Sequence, residues 1–369
     1  MTAASQATRA AAAAAGTEPP WAVVLAGGVG SRFWPMSTPE RPKQLLALVD
    51  EHPLLVNTLD RMRPLVPEAR TLVLTNAMLR DAILALCPAL PPENVIAEPA
   101  PAGTAAALAW AAREVERRAG PETVMLCVHA DWAVADAAGF RDTLARAARA
   151  AAEHAALVTV GVVPSRDDPG FGYIQPGAVV EEEVRRVARF VEKPTRERAA
   201  RMRVEGYLWN SGIFVWRAGD FLEEIDLRCP EVAPALRALD GSASGDEALR
   251  RFFADVTPVA VDIGVMERSP RVLVLAGDFG WDDVGTWGAL GRVRQLDGGG
   301  NAAHGRVHLL DARRNVVHAG GNAVILYGVE DLVVVTGGGL TLVTTVERSS
   351  DLKTLIQSLP PAFLGDAAP

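Results

Sequence analysis

The chain has 369 residues, 49% of them hydrophobic, which is enough for a large buried core and suggests two or three domains. Its 45 acidic residues outnumber 37 basic ones and leave a net charge of -8, which argues against a broad nucleic-acid or anionic-membrane surface. Any phosphate ligand must therefore be caught by local groups.

Residues 1–20, "MTAASQATRAAAAAAGTEPP", carry Arg9 as their only basic group and alanines where a secretory signal needs bulkier apolar residues. They read as a disordered tail, with a cleaved targeting peptide as the alternative. From Trp21, strand-like apolar runs alternate with helical stretches: "WAVVLAGG", "PLLVNTLDRMRPL", "TLVLTN", "TAAALAWAAREVERRAG", "TVMLCVHAD", an alanine-rich helix to about residue 155, and "ALVTVGVV". That alternation predicts an α/β domain over 21–295, a Rossmann-like, mostly parallel sheet covered by helices on both faces. Ligands sit at the carboxyl ends of strands in such sheets, and both the glycine loop after "AVVLA" and the Asp131 segment after "VMLCV" fall at such ends. Beyond "LDGGGNAAHG" the pattern becomes short Val/Leu strands broken by Gly, Asn and Asp, which predicts a small all-β domain over 296–369, a β-helix or a sandwich.

Cys87, Cys127 and Cys229 lie far apart without a CxxC pair, and read as reduced, mostly buried thiols of a cytoplasmic protein. His304 and His308 flank Gly305 with no carboxylate nearby in sequence, and read as a surface pair rather than a metal site. No run of about 18 bulky apolar residues is present to span a membrane.

The most informative string is residues 25–46, "LAGGVGSRFWPMSTPERPKQLL". A dinucleotide fingerprint would need glycine where Phe33 stands, and a Walker loop would need Gly-Lys-Ser/Thr where the lysine is Lys43 in "RPKQ". What remains is a glycine turn, Gly27, Gly28 and Gly30, whose backbone N–H groups can approach a polyphosphate. Arg32 can bond phosphate oxygens in pairs, and Lys43 adds a point charge. An ordinary turn with solvated basic residues is the competing reading of the glycines alone.

The whole string resembles the signature of sugar-nucleotide pyrophosphorylases, and "RFWPMS" with "PKQ" resembles the mannose-1-phosphate guanylyltransferase branch in its short, single-activity form. The resemblance runs from residue 22 to about 356. It implies a Mg²⁺-dependent transfer of GMP from GTP to α-mannose 1-phosphate, with release of diphosphate. It also implies that Ala26, Gly27, Gly28, Gly30, Ser31, Arg32 and Lys43 hold the triphosphate, and that Asp131 of "HADW" and Asp283 of "GWDDVGTW" hold the metal. Asp282, next to Asp283, should point elsewhere. "GFGYIQPG" with Gly172 and Tyr173, "RFVEKP" with Glu192 and Lys193, "YLWNSGIFVW" with Asn210, Ser211 and Gly212, and Asp262 of "VAVDIGVMER" would form the sugar-phosphate side, Lys193 orienting the nucleophile. For Asp262, a structural carboxylate is the equal alternative.

Two stretches depart from the family pattern. The family usually shows Pro-Ala-Asp-His where this chain has His129-Ala130-Asp131-Trp132. Near the nucleobase, "EPAPAGTAAAL" keeps Glu98 and Thr104 but has Ala102-Gly103 in place of the usual Arg-Asn pair, which loosens the expectation of guanine. Glu98 would accept from a purine amine or serve as an anion at the start of the next helix. The same chemistry with another nucleotide or hexose phosphate, and a non-catalytic nucleotide-sugar-binding regulator, are the alternatives. A homodimer joined through the C-terminal strands is expected, because edge strands seek partners.

Overall fold

The computed structural model describes residues 19–28, 31–239 and 245–363. These divide into two compact units that each draw on separated stretches of chain. The first comprises Met1–Ala26, Leu59–His129 and Asp136–Phe279, and the second Gly27–Thr58, Ala130–Ala135 and Gly280–Pro369. Residues 1–18 of the expected tail lie outside the described residues.

The first unit is built on a nine-stranded mixed sheet of strands β1 (Trp21–Leu25), β2 (Thr71–Asn76), β3 (Val95–Glu98), β4 (Val124–His129), β6 (Leu157–Val162), β7 (Tyr173–Glu181), β8 (Val184–Val191), β9 (Leu208–Arg217) and β10 (Val272–Gly277). Their order is β3-β2-β1-β4-β9-β6-β10-β8-β7. β3, β2, β1 and β4 run parallel, as do β6 and β10, and β9 lies antiparallel between β4 and β6. All five residues of β1 are buried, which requires cover on both faces and explains its unbroken apolar run.

On one face, Trp21, Val23 and Leu25 join a core with Leu108 and Trp110 of the helix Gly103–Ala119, Phe221 of Ala218–Arg228 and Phe252 of Gly245–Asp255. The helix Ala137–His154 is started and stopped by local chemistry. Asp136 accepts from the N–H groups of Ala138 and Gly139, both at 3.0 Å, and Ala155 ends it in the left-handed region at φ 47°. Cys87, Cys127 and Cys229 are free and buried, and burial pushes the Cys87 and Cys229 thiols up to about 11.

In the second unit, β5 (Ala133–Val134) and β11 (Trp281–Asp282) form an antiparallel ribbon. A four-stranded sheet follows: β12 (Ala302–Leu310), β13 (Val316–Tyr327), β14 (Leu332–Gly337) and β15 (Leu340–Thr345). β12, β13 and β14 are consecutive yet parallel, with Ala302 beside Val316 and Val316 beside Val333. Links too short for a crossover helix mean that the chain coils on itself, as in a β-helix. A side-chain ladder holds the corners. Asn315 Nδ2 donates to Asn301 Oδ1 at 2.9 Å, and Leu332 N–H donates to Asn315 Oδ1 at 2.9 Å.

The expectation for His304 is corrected by this packing. Its partner is not His308 but buried His318, whose ring stacks on it at 4.7 Å, and the Glu51 carboxylate stands 3.7 Å from His304 Nδ1. His318 Nδ1 accepts from Arg294 Nη2 at 3.0 Å, and Arg294 also donates to the carbonyls of Leu48 (2.6 Å) and Val317 (3.2 Å). Burial, reinforced by Arg294, His304 and Arg41, holds His318 down at about 3. The folded value lies below the unfolded one, so the unfolded chain takes up the proton first as pH falls. The stability contributed by neutral His318 is complete above about pH 6.5 and is lost progressively toward pH 3. Glu51 and Asp50 oppose the same loss at His304 only. Melting temperature is therefore expected to drop more steeply between pH 7 and pH 5 in the wild-type chain than in His318→Gln, which keeps an acceptor for Arg294. Parallel profiles by circular dichroism would disprove this assignment.

Candidate active site

Lys43 organises the acidic residues of the second unit. It is 6% exposed, and its Nζ donates to Asp131 Oδ2 at 3.0 Å and to the main-chain carbonyl of Asp283 at 2.6 Å. The β5–β11 ribbon explains the meeting, because Ala133 pairs with Asp282 and so fixes the residues just beyond each strand. Trp132, one of the departures from the family pattern, is buried against Trp281 with ring centroids 6.0 Å apart.

Asp283 uses its two ends differently. Its carbonyl faces Lys43, while its carboxylate lies beside Gly285, where an added Cβ would stand 2.6 Å from Asp283 Oδ2 and 3.4 Å from Arg32 Nη1. Arg32 is exposed and reaches the Gly285 carbonyl at 3.5 Å. As expected, Asp282 points elsewhere: its carboxylate accepts from Arg292 Nε (2.7 Å) and Nη2 (3.0 Å).

The glycine loop starts in exposed Gly27 and Gly28, and Ser31 opens a short turn, Ser31–Phe33. Gly30 lies outside the described residues. Gln44, which sequence reasoning did not single out, is buried and donates from Nε2 to the Gly28 carbonyl at 2.9 Å. Its position beside Lys43 in "PKQ" was the available signal. Ala26 belongs to the first unit, where its N–H donates to the Leu74 carbonyl at 2.8 Å and its carbonyl accepts from Thr75 Oγ1 at 3.2 Å.

The residues expected on the sugar-phosphate side also belong to the first unit. Asn210 Nδ2 donates to Asp262 Oδ1 at 2.6 Å, and Asn210 N–H donates to the Gly172 carbonyl at 2.8 Å. A Cβ on Gly172 would stand 2.6 Å from Glu192 Oε2, so Gly172, Glu192, Asn210 and Asp262 are brought together. Lys193 is exposed, pairs with Glu192 at 2.9 Å and has a left-handed backbone at φ 42°. Gly212 takes φ 72° and donates its N–H to Asn210 Oδ1 at 3.2 Å. Tyr173 and Ser211 are occupied with the fold itself: the buried Tyr173 hydroxyl donates to the Asp168 carbonyl at 3.0 Å and Ser211 Oγ to the Val160 carbonyl at 2.6 Å.

Residues 21–298 match the family model described as nucleotidyl transferase. Over 347 residues the chain is 35% identical to the mannose-1-phosphate guanylyltransferase of Escherichia coli, a match that covers 91% of this chain and 73% of the relative. It is 34% identical over 353 residues to the xanthan biosynthesis protein XanB of Xanthomonas campestris, covering 94% of this chain and 74% of XanB. Among solved structures it superposes, with a TM-score of 0.85 and 34% identity, on one described as mannose-1-phosphate geranyltransferase from Thermus thermophilus, over 92% of this chain and 99% of that one. The chain belongs to the mannose-1-phosphate guanylyltransferase family. The family's nucleotidyl transferases act on a nucleoside triphosphate and a sugar phosphate and draw on a divalent metal.

The carboxylates available here suit such an ion. Asp131 and Asp283 offer hard oxygens, and Asp131 remains 37% exposed in its side chain although bonded to Lys43. Neither belongs to a cluster of three or more ligand residues among the described residues, whose one such cluster is Glu153, His154 and Glu181. Two protein carboxylates with the remaining positions left to water and phosphate is the arrangement Mg²⁺ favours.

At the family's Arg-Asn position, the second of this chain's two residues is held by its backbone. Gly103 sits at φ 79°, and an added Cβ would meet the Val259 carbonyl oxygen at 2.3 Å. The next helix opens without a side-chain cap or an acidic residue in its first turn. Thr104 Oγ1 instead accepts from Val261 N–H at 2.9 Å. Glu98 ends β3, where burial raises its carboxyl to about 7.

No helix among the described residues is long and apolar enough to cross a membrane.

Proposed function

We propose that this chain converts GTP and α-D-mannose 1-phosphate to GDP-mannose and diphosphate. The observation that carries the reading is Lys43 bonded at once to Asp131 and to Asp283, in a chain 35% identical to a mannose-1-phosphate guanylyltransferase across 91% of its length. A sugar-phosphate oxygen attacks the α-phosphorus of GTP in line, a new P–O bond forms, and the bond to the β-phosphate bridging oxygen breaks, leaving with the electron pair as diphosphate. The attacking phosphate is already ionised, so no protein base or nucleophile is required.

In this reading Gly27, Gly28, Gly30 and Ser31 cradle the triphosphate, and Arg32 and Lys43 offset its charge. Glu98 and Thr104 stand on the nucleobase side. Gly172, Glu192, Asn210, Gly212 and Asp262 bind the sugar, and Lys193 orients its phosphate. Asp131 and Asp283 would hold Mg²⁺, which when bound supplies Lewis-acid charge stabilisation at the phosphates. Three buried, unpaired thiols fit a reducing cytoplasm.

The deciding experiment measures diphosphate release by the purified chain with Mg²⁺ and mannose 1-phosphate, comparing GTP, ATP, UTP, CTP and dTTP. GTP is expected to exceed every other nucleotide at least about tenfold in kcat/KM. A second reading, the same transfer with a different base, is favoured by Ala102-Gly103, which offers no side-chain donors to a base. Preference for another nucleotide would establish it, and no turnover with any of them would overturn both.

We also propose a homodimer. Leu310, Ile325 and Tyr327 are exposed at 54%, 72% and 69%, with Leu310 beside Tyr327 on adjacent strands and β12 at the sheet edge. A monomeric mass by light scattering at working concentration would refute it.

A further inference from the structure

We infer that Asp282, anchored by Arg292, is a positioning residue that sets the backbone of Asp283 and thereby aims both of its oxygen-bearing ends. The inference rests on the proposed role of Asp283 as a metal ligand. Asp282 is 5% exposed, and its carboxylate is fully engaged within the second unit. Arg292 grips both oxygens, Nε to Oδ2 at 2.7 Å and Nη2 to Oδ1 at 3.0 Å. The planar fork of the guanidinium fixes the carboxylate in orientation as well as in place.

From that fixed position Asp282 Oδ1 accepts the N–H of Val284 at 2.9 Å. Val284 is a β-branched residue held at φ 48°, in the left-handed region where such a side chain is strained. A strained residue persists only where its surroundings over-determine it. Here the side chain is wholly buried, and the N–H is captured by Asp282. The capture spans Asp283, so the bend decides where that residue's groups go. Its carbonyl turns to Lys43 Nζ at 2.6 Å, and its carboxylate turns to the space left by the missing Cβ of Gly285, near Arg32. Asp282 and Arg292 act through Asp283 and need touch no substrate.

A double-mutant cycle on the full chain tests this, with Mn²⁺ binding in the presence of GTP read by water-proton relaxation and kcat read by GDP-mannose formation. Asp282→Ala is expected to weaken Mn²⁺ and lower kcat by about 10- to 100-fold, the range typical of groups that orient metal ligands, while KM for GTP moves less than about threefold. Asp282→Asn, which keeps an acceptor for Val284 but turns an amide N–H2 toward Arg292, recovers only part of the loss. In a Val284→Gly background the same Asp282→Ala change is expected to cost less than about threefold, because glycine holds a positive φ without help. Melting temperatures separate this from destabilisation, since Val284→Gly opens a cavity and melts lower whether or not Asp282 is present. An equal loss in both backgrounds, wild-type Mn²⁺ affinity in Asp282→Ala, or a wild-type chain that binds no Mn²⁺ overturns the inference. Failure of the functional reading looks different: no nucleotide is turned over, yet the Mn²⁺ series still shows the coupling.

Discussion

Lys43→Met is expected to reduce kcat by about a thousandfold or more, the lower end of what a single transition-state cation contributes to phosphoryl transfer. Methionine nearly preserves the volume of a side chain that is 8% exposed, so the fold has little reason to rearrange. The removed ammonium has two partners, Asp131 Oδ2 at 3.0 Å and the Asp283 carbonyl at 2.6 Å. Both the charge and the tie between two acidic segments go at once. Asp131 keeps partial access to water at 37% side-chain exposure, so the stability loss should stay near about 1 kcal/mol. Lys43→Arg is not a rescue, because the forked guanidinium cannot occupy a slot shaped for a point charge. Stopped diphosphate-release assays with saturating GTP and mannose 1-phosphate read the effect directly. A Lys43→Met enzyme within about tenfold of wild type would remove Lys43 from the catalytic set.

Gly285→Ala is expected to lower kcat by about a hundredfold, the usual consequence of misplacing a reacting group by roughly an ångström. Gly285 is not in a left-handed conformation, so the cost is one of space. Its new Cβ would lie 2.6 Å from Asp283 Oδ2, and the carboxylate would have to leave its position. Gly28→Ala is the informative contrast. Nothing lies within 4 Å of a Cβ at Gly28, so the free chain accepts alanine there. Any loss should then appear in KM for GTP, through the closer approach of backbone to phosphate that glycine allows. Steady-state kinetics on the two variants, with melting curves as controls, tells them apart. Equal effects on KM and kcat in both would undo the distinction between a positioned carboxylate and an open cradle.

The legible part of this molecule was local. "WAVVL" declares a strand buried on both faces because it has no polar alternation, and all of its residues are buried. The alanine-rich helix expected to end near residue 155 does so, stopping at His154 with Ala155 in the left-handed region, because its signal lies within a few turns of chain. Asp282 and Asp283 were separable in advance for the same kind of reason, since adjacent side chains diverge.

What remained illegible depended on pairing across distance. Alternating Val/Leu runs bury one face equally well in a sandwich or a coil, so the strands after Ala302 could not declare their arrangement. The parallel register of Ala302 on Val316 and the Asn301–Asn315 ladder decide it. His304 was read beside His308 because they are neighbours in sequence, but the stacking partner, His318, arrives from the next strand.

By itself the sequence determined the alternation of elements, the buried runs and the family, because each is written in neighbouring residues whose propensities and spacings act within a few turns of chain. Only the tertiary structure decided that Lys43 reaches Asp131, 88 positions away, and Asp283, 240 positions away. It also decided that Gln44 holds the Gly28 carbonyl and that Arg292 clamps Asp282. Asp131 and Asp283 can share Lys43 because the β5–β11 ribbon, and the burial that makes its register costly to slip, bring their separate segments together.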